Sequence, residues 1–134
     1  MDSKFSHLDK KGNARIVNIS RKKKSSRYAK AQATVWLSKK ILTMIKNDEF
    51  KKGNVINVAR IAGIMGAKQT SNLIPLCHNI SLDSSEINFR LLEEELEIES
   101  IVQSEEKTGV EMEALAAVTI SALTVYDMVK GVDK

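Results

Sequence analysis

A chain of 134 residues with 43% apolar and 28% charged side chains is the size of one domain and can bury a core. One cysteine excludes an internal disulfide, and two histidines with that cysteine cannot close a structural zinc site within one chain. Met1-Asp2-Ser3-Lys4 lacks the apolar core of a secretory signal, and no apolar run predicts a membrane span, so a soluble cytoplasmic protein is expected. The net charge of +4 hides an asymmetry: residues 1–70 hold 17 Lys or Arg against 4 acids, and residues 71–134 hold 4 against 13. Basic and acidic surfaces facing each other, within the fold or across subunits, account for this as well as a polyanionic ligand does.

Residues 1–13 read as a flexible arm punctuated by Gly12, and 14–134 as a single domain. Ala14–Ser20 is predicted as a short strand carrying Ile16, Val17 and Ile19. The run Arg21-Lys22-Lys23-Lys24 reads first as a solvated loop. Arg27–Leu37 alternates, with Ala29, Ala31, Ala33, Val35 and Leu37 on one side, which predicts a half-buried strand. Ser38 then caps a helix with Ile41, Leu42 and Ile45 as its stripe.

Asn47–Gly53 is a loop, and Asn54 caps a second helix to about Thr70 with Val55, Val58, Ile61, Ala62 and Met65 at helical spacing. Gly63 and Gly66 cost that helix local stability, so small residues there predict close approach of another element. Pro75 ends helical continuation. Glu86–Leu92 and Leu96–Gln103 read as strands joined through Glu93-Glu94-Glu95 as a hairpin. Val110–Met128 is the longest predicted helix, with Leu115, Val118, Ala122, Val125 and Val129 along one stripe. The class is α+β, an antiparallel sheet with helices on one face.

Several residues carry chemistry in this frame. Lys52 precedes Gly53 and a helix N-terminus, where free N–H groups and a mobile cation favour phosphate. Arg60 and Lys68 read as surface on the following helix. A lone histidine such as His78 is more often structural than catalytic, yet an imidazole can donate or accept and this one follows a proline turn. Cys77 reads as a small buried residue rather than a nucleophile. Asp127 and Lys130, three apart, share a helix face. Glu111 and Glu113, two apart, do not face the same way. Glu113 and Asp127 share a stripe but lie fourteen residues apart, roughly 21 Å along a straight helix. One small reacting centre cannot touch both, so they serve either opposite ends of a long ligand or two sites completed by different subunits.

Four segments belong together: Lys52-Gly53-Asn54; Ala59-Arg60-Ile61-Ala62-Gly63-Ile64, continuing through Ala67-Lys68 to Leu73-Ile74-Pro75-Leu76-Cys77-His78; Lys107-Thr108-Gly109-Val110-Glu111-Met112-Glu113-Ala114-Leu115; and Tyr126-Asp127-Met128-Val129-Lys130. The chain resembles, from about Phe5 to about Lys134, the cyclic pyranopterin monophosphate synthase family of molybdenum-cofactor biosynthesis. The resemblance implies a ferredoxin-like fold. It implies a cyclic dihydro-GTP substrate, 3′,8-cyclo-7,8-dihydroguanosine 5′-triphosphate, converted to cyclic pyranopterin monophosphate with release of pyrophosphate. Lys52, Lys130 and Asp127 would carry the chemistry, with Asp127 orienting or accepting a proton. Leu76, Cys77, His78, Glu111, Met112 and Glu113 match substrate-binding segments, and Arg27 and Lys68 match phosphate or base contacts.

The resemblance implies no metal or organic cofactor, although Mg²⁺ can accompany the triphosphate. It also implies a homo-oligomer, a hexamer built as a trimer of dimers, with the site at a subunit interface. The Gly63 and Gly66 helix suggests a sharper expectation, that Lys52 comes from one subunit and Asp127 or Lys130 from another. The family pattern continues past the Asp127–Lys130 motif into a C-terminal strand and a Gly/Lys-rich tail, so the resemblance implies that a chain ending at Lys134 is without both. Two other readings stand beside this one. One is an inactive oligomeric relative. The other is a basic module binding nucleotide or nucleic acid, against which stand the 4% aromatic content and the lack of any helix-turn-helix or zinc-finger spacing.

Overall fold

The computed structural model describes residues 6–132. Its sheet has three antiparallel strands: β1 (Ser25–Trp36), β2 (Ser84–Leu91) and β3 (Glu95–Glu106), in the order β1-β3-β2. Its helices are α1 (Lys39–Lys46), α2 (Val55–Lys68), the short α3 (Thr70–Leu73) and α4 (Glu111–Val129). The α+β class holds, and the βαααββα order about a central β3 is compatible with a ferredoxin-like arrangement.

Period-2 patterning explains the sheet. Along β3, Leu96, Ile98, Ser100 and Val102 are fully buried under the helices, while Glu95, Glu97 and Glu99 alternate onto the other face. Ser100 is tolerated there because its hydroxyl donates to the Ala114 carbonyl at 2.7 Å. β1 lays Ala29, Ala31, Ala33 and Val35 against the same core, and β2 closes it with Ile87 and Phe89. The hairpin joining β2 to β3 forms as expected, with Leu92 N–H donating to Glu95 O at 2.9 Å. Both strands run longer than the alternation alone marks.

The helix caps are local and legible. Ser38 Oγ accepts from Ile41 N–H at 3.2 Å, and Ile41, Leu42 and Ile45 are the buried residues of α1. Asn54 Oδ1 accepts from Asn57 N–H at 2.8 Å at the start of α2. That helix ends at Lys68 rather than Thr70. The buried Thr70 hydroxyl bonds back to the carbonyls of Gly66 and Ala67, and α3 begins.

Two predicted stripes are revised. On α2 the buried residues are Val55, Ala59, Gly63, Gly66 and Ala67, while Val58, Ile61 and Met65 face outward. On α4 the buried face holds Ala114, Ala117, Val118, Ser121 and Val125, and Leu115 is exposed. The reason is that α2 and α4 pack against each other through small residues. A Cβ at Gly63 would stand 3.0 Å from Ala117 O and 3.2 Å from Ser121 Cβ, and closer still to Ile87. Ser121 Oγ donates to Ala59 O at 3.0 Å across the contact. Large apolar residues cannot occupy so narrow an interface, so they are left outside it.

Two further expectations change. Ala14–Ser20 forms no strand: only Ala14 pairs, in an isolated bridge to Leu8. Several of its carbonyls are taken outside any ladder, Val17 O by His78, Ser20 O by Lys107 and Ile19 O by the Lys22 N–H. The second is the expectation of no span-length apolar run. α4 is long and apolar enough to cross a membrane by length and composition, but it is the core helix of this fold, packed on the sheet and on α2.

Candidate active site

Predicted site residues gather at the two ends of α4. Because α2 runs antiparallel to α4, the loop before α2 lies beside the C-terminal end of α4. Gly53 sits at φ 123°, a conformation glycine adopts freely, and turns the chain so that Lys52 reaches that end. Lys52 Nζ donates to Asp127 O at 2.8 Å and lies 3.7 Å from Asp127 Oδ2. Lys130 Nζ lies 3.0 Å from Asp127 Oδ1.

All three residues therefore meet within one chain. This overturns the expectation that Lys52 and the Asp127–Lys130 pair come from different subunits, because residues 75 apart in sequence close this cluster through the α2–α4 packing. The Lys130 hydrogen bond, followed by the charges of Lys52 and Lys130, holds the Asp127 carboxyl below its ordinary range. A carboxylate so stabilised is a poor base, and it orients two ammonium groups instead. The side chains are about half exposed, and two cations against one anion leave net positive charge facing solvent.

At the N-terminal end of α4 lies a cleft of about 260 Å³. Its walls include Leu76, Cys77 and His78 after Pro75, and Glu111, Met112 and Glu113 from the first turn of α4. Glu111 and Glu113 both reach it, contrary to the expectation that they diverge. Glu111 is the first helical residue, and its carboxylate folds back over Gly109, where a Cβ would lie 3.2 Å from Glu111 Cδ. Glu113 is 3% exposed, and burial pushes its carboxyl above the ordinary range, against the opposing pull of its own N–H and of Cys77. A carboxyl raised in this way is suited to proton exchange.

Cys77 Sγ lies 3.7 Å from Glu113 Oε2. Burial first, and the Glu113 charge second, push the Cys77 thiol up to about 11, so it remains a thiol donor and not a nucleophile. His78 Nε2 lies 2.6 Å from Val17 O. A carbonyl only accepts, so Nε2 carries a hydrogen and Nδ1 is the nitrogen left for another partner.

Two predicted contacts lie elsewhere. Arg27 does not line the cleft: its guanidinium donates to the carbonyls of Glu106 and Lys107, at 3.2 and 3.3 Å, and so fixes the turn that leads into Thr108-Gly109. Lys68 is exposed at the last turn of α2 and does not line the cleft either. Arg60 is not a bare surface cation, since it donates to Ile87 O at 3.1 Å and lies over the Phe89 ring.

Sequence reasoning missed His7, Asn18 and Lys22, all of which line the cleft. Lys22 belongs to the basic run read as solvated. His7 lies in the stretch read as an arm; the overlooked signal was Asp9 followed by Asn13, because the Asp9 carboxylate accepts the N–H groups of Lys11 and Asn13 and makes a turn.

A family model described as the MoaC family matches residues 16–134. The chain is 48% identical over 130 residues to the cyclic pyranopterin monophosphate synthase of Peptoclostridium acidaminophilum, covering 97% of this chain and 83% of that one. It is 50% identical over 136 residues to the protein of the same name in Clostridium perfringens strain SM101, covering 100% and 86%. It is also 48% identical over 132 residues to molybdenum cofactor biosynthesis protein 1 of Drosophila melanogaster, covering 97% of this chain and 23% of that protein.

Proposed function

The chain belongs to the MoaC family, and we infer from this that it is an enzyme of molybdenum-cofactor biosynthesis. It converts the cyclic dihydro-GTP intermediate to cyclic pyranopterin monophosphate and releases pyrophosphate. The observation that carries this reading is the cluster of two half-exposed lysines on one carboxylate. Pyrophosphate leaving as a sugar hydroxyl attacks the α-phosphorus develops negative charge, and Lys52 and Lys130 supply the cations for it. Asp127 holds both ammonium groups in place. Any Mg²⁺ arrives with the triphosphate as part of the substrate.

The purine-derived ring is rich in N–H donors, and the cleft offers the Glu111 and Glu113 carboxyls to receive them. Glu113, with its raised pKa, and His78, through Nδ1, suit the proton transfers of ring rearrangement. Leu76, Cys77 and Met112 frame the ring.

The cleft and the lysine cluster stand at opposite ends of α4, roughly 21 Å apart. A site that uses both is supported best if the cleft of one subunit is completed by the Lys52–Asp127–Lys130 cluster of another, in a closed homo-oligomer. The outward Ile61, Met65, Leu73 and Leu123, each more than half exposed, give that assembly apolar surface to bury. The six-subunit state belongs to this proposal, as does a cytoplasmic site of action. Incubation of the purified protein with the cyclic dihydro-GTP intermediate should release pyrophosphate and form cyclic pyranopterin monophosphate; substrate left unchanged refutes the assignment.

A further inference from the structure

Both histidines of the chain line the same cleft. Each ring is held by a main-chain carbonyl of one extended segment, but through the opposite nitrogen. His7 Nδ1 lies 3.3 Å from Arg15 O, and His78 Nε2 lies 2.6 Å from Val17 O. Since a carbonyl can only accept, the bonded nitrogen carries the hydrogen in each ring. That leaves His7 Nε2 and His78 Nδ1 with no partner among the described residues, and each accepts a hydrogen bond when its ring carries a single hydrogen.

The position of His7 is built rather than incidental. The segment folds back on itself: Arg15 N–H donates to His7 O at 2.8 Å, Leu8 bridges Ala14, and Asp9 accepts the N–H groups of Lys11 and Asn13 at 2.8 and 2.9 Å. The turn is closed by main-chain and Asp9 groups and needs only Nδ1 of the imidazole. His7 is exposed, so burial does not explain a ring there. Resting on the functional reading above, we propose that His7 is a second imidazole of the ligand site, accepting a hydrogen bond from an N–H or O–H of the bound nucleotide-derived ligand through Nε2.

Two substitutions separate this role from a structural one. Asn carries its amide near the position of Nδ1 and has nothing at Nε2, whereas Gln reaches the position of Nε2 and gives up the Arg15 anchor. Each full-length variant is assayed for pyrophosphate release, for GTP binding by calorimetry and for its thermal midpoint. His7→Asn should raise KM and weaken GTP binding about tenfold, with an unchanged midpoint, and His7→Gln should recover part of the affinity. Parental KM and GTP affinity in His7→Asn would overturn the proposal, as would a loss in both variants that tracks a lowered midpoint. If the parent releases no pyrophosphate, the functional reading fails by itself and the GTP titration still decides His7. A parent that binds no GTP overturns the assignment of His7 as well.

Discussion

Two inactive variants should restore each other when their lesions lie at opposite ends of α4, and should not when they lie at the same end. Lys52→Ala and Lys130→Ala remove one cation each from the cluster on Asp127, and Glu113→Gln removes the buried acid of the cleft. Losing a cation that stabilises developing charge costs about 3 kcal/mol, a fall of more than a hundredfold in rate. The lysine side chains are 51% and 45% exposed, so neither replacement should disturb the fold. Suppose each site takes its cleft from one subunit and its lysines from another. A mixed pair of Lys52→Ala and Glu113→Gln then contains one site with both lesions and one with none. Random pairing places about half the subunits in mixed pairs, so roughly a quarter of the parental activity returns, far above either residual. Lys52→Ala mixed with Lys130→Ala should stay inactive, because both lesions fall in one cluster and every site keeps one. Pyrophosphate release after co-refolding, with subunit exchange verified by mass spectrometry, reads the result. An inactive Lys52→Ala and Glu113→Gln mixture with exchanged subunits, or rescue between the two lysine variants, refutes the composite site.

Other consequences can be checked separately. Burial raises the Glu113 pKa in the folded chain, so its contribution to stability is fully present below the unfolded pKa near 4.5 and is lost as pH rises through the folded value; Glu113→Gln should therefore melt higher than the parent at pH 7 and no higher at pH 4. Cys77, moved from 9.0 to about 11, should react with iodoacetamide about a hundredfold more slowly than a free thiol at pH 7, and labelling at the free-thiol rate would contradict its place beside Glu113. Gly63→Ala puts a Cβ 3.0 Å from Ala117 O and should destabilise by about 1–3 kcal/mol in a denaturant titration, whereas an unchanged midpoint would mean that α2 and α4 are less closely packed.

Periodicity and caps are local properties, and the sequence alone determined the elements that depend on them. The alternation that begins at Ala29 lies in strand β1 as far as Trp36, and Ser38 and Asn54 cap the helices they precede. The turn after Pro75 and the acids after Gly109, which the family resemblance implies bind substrate, line one cleft. Ala14–Ser20 failed because apolar content without a ladder partner does not make a strand, and in this chain several of its carbonyls are taken outside any ladder. The stripe on α2 failed because helical spacing does not say which flank meets a neighbour. Gly63 and Gly66 held that information, as the narrow contact with α4 excludes Ile61 and Met65. Only the tertiary structure brought Lys52 to Asp127 across 75 residues, set Cys77 against Glu113 and turned His7 into the cleft. Such pairings depend on how elements dock, and docking is decided by the shape and volume of side chains far apart in the chain, which no local window of sequence contains.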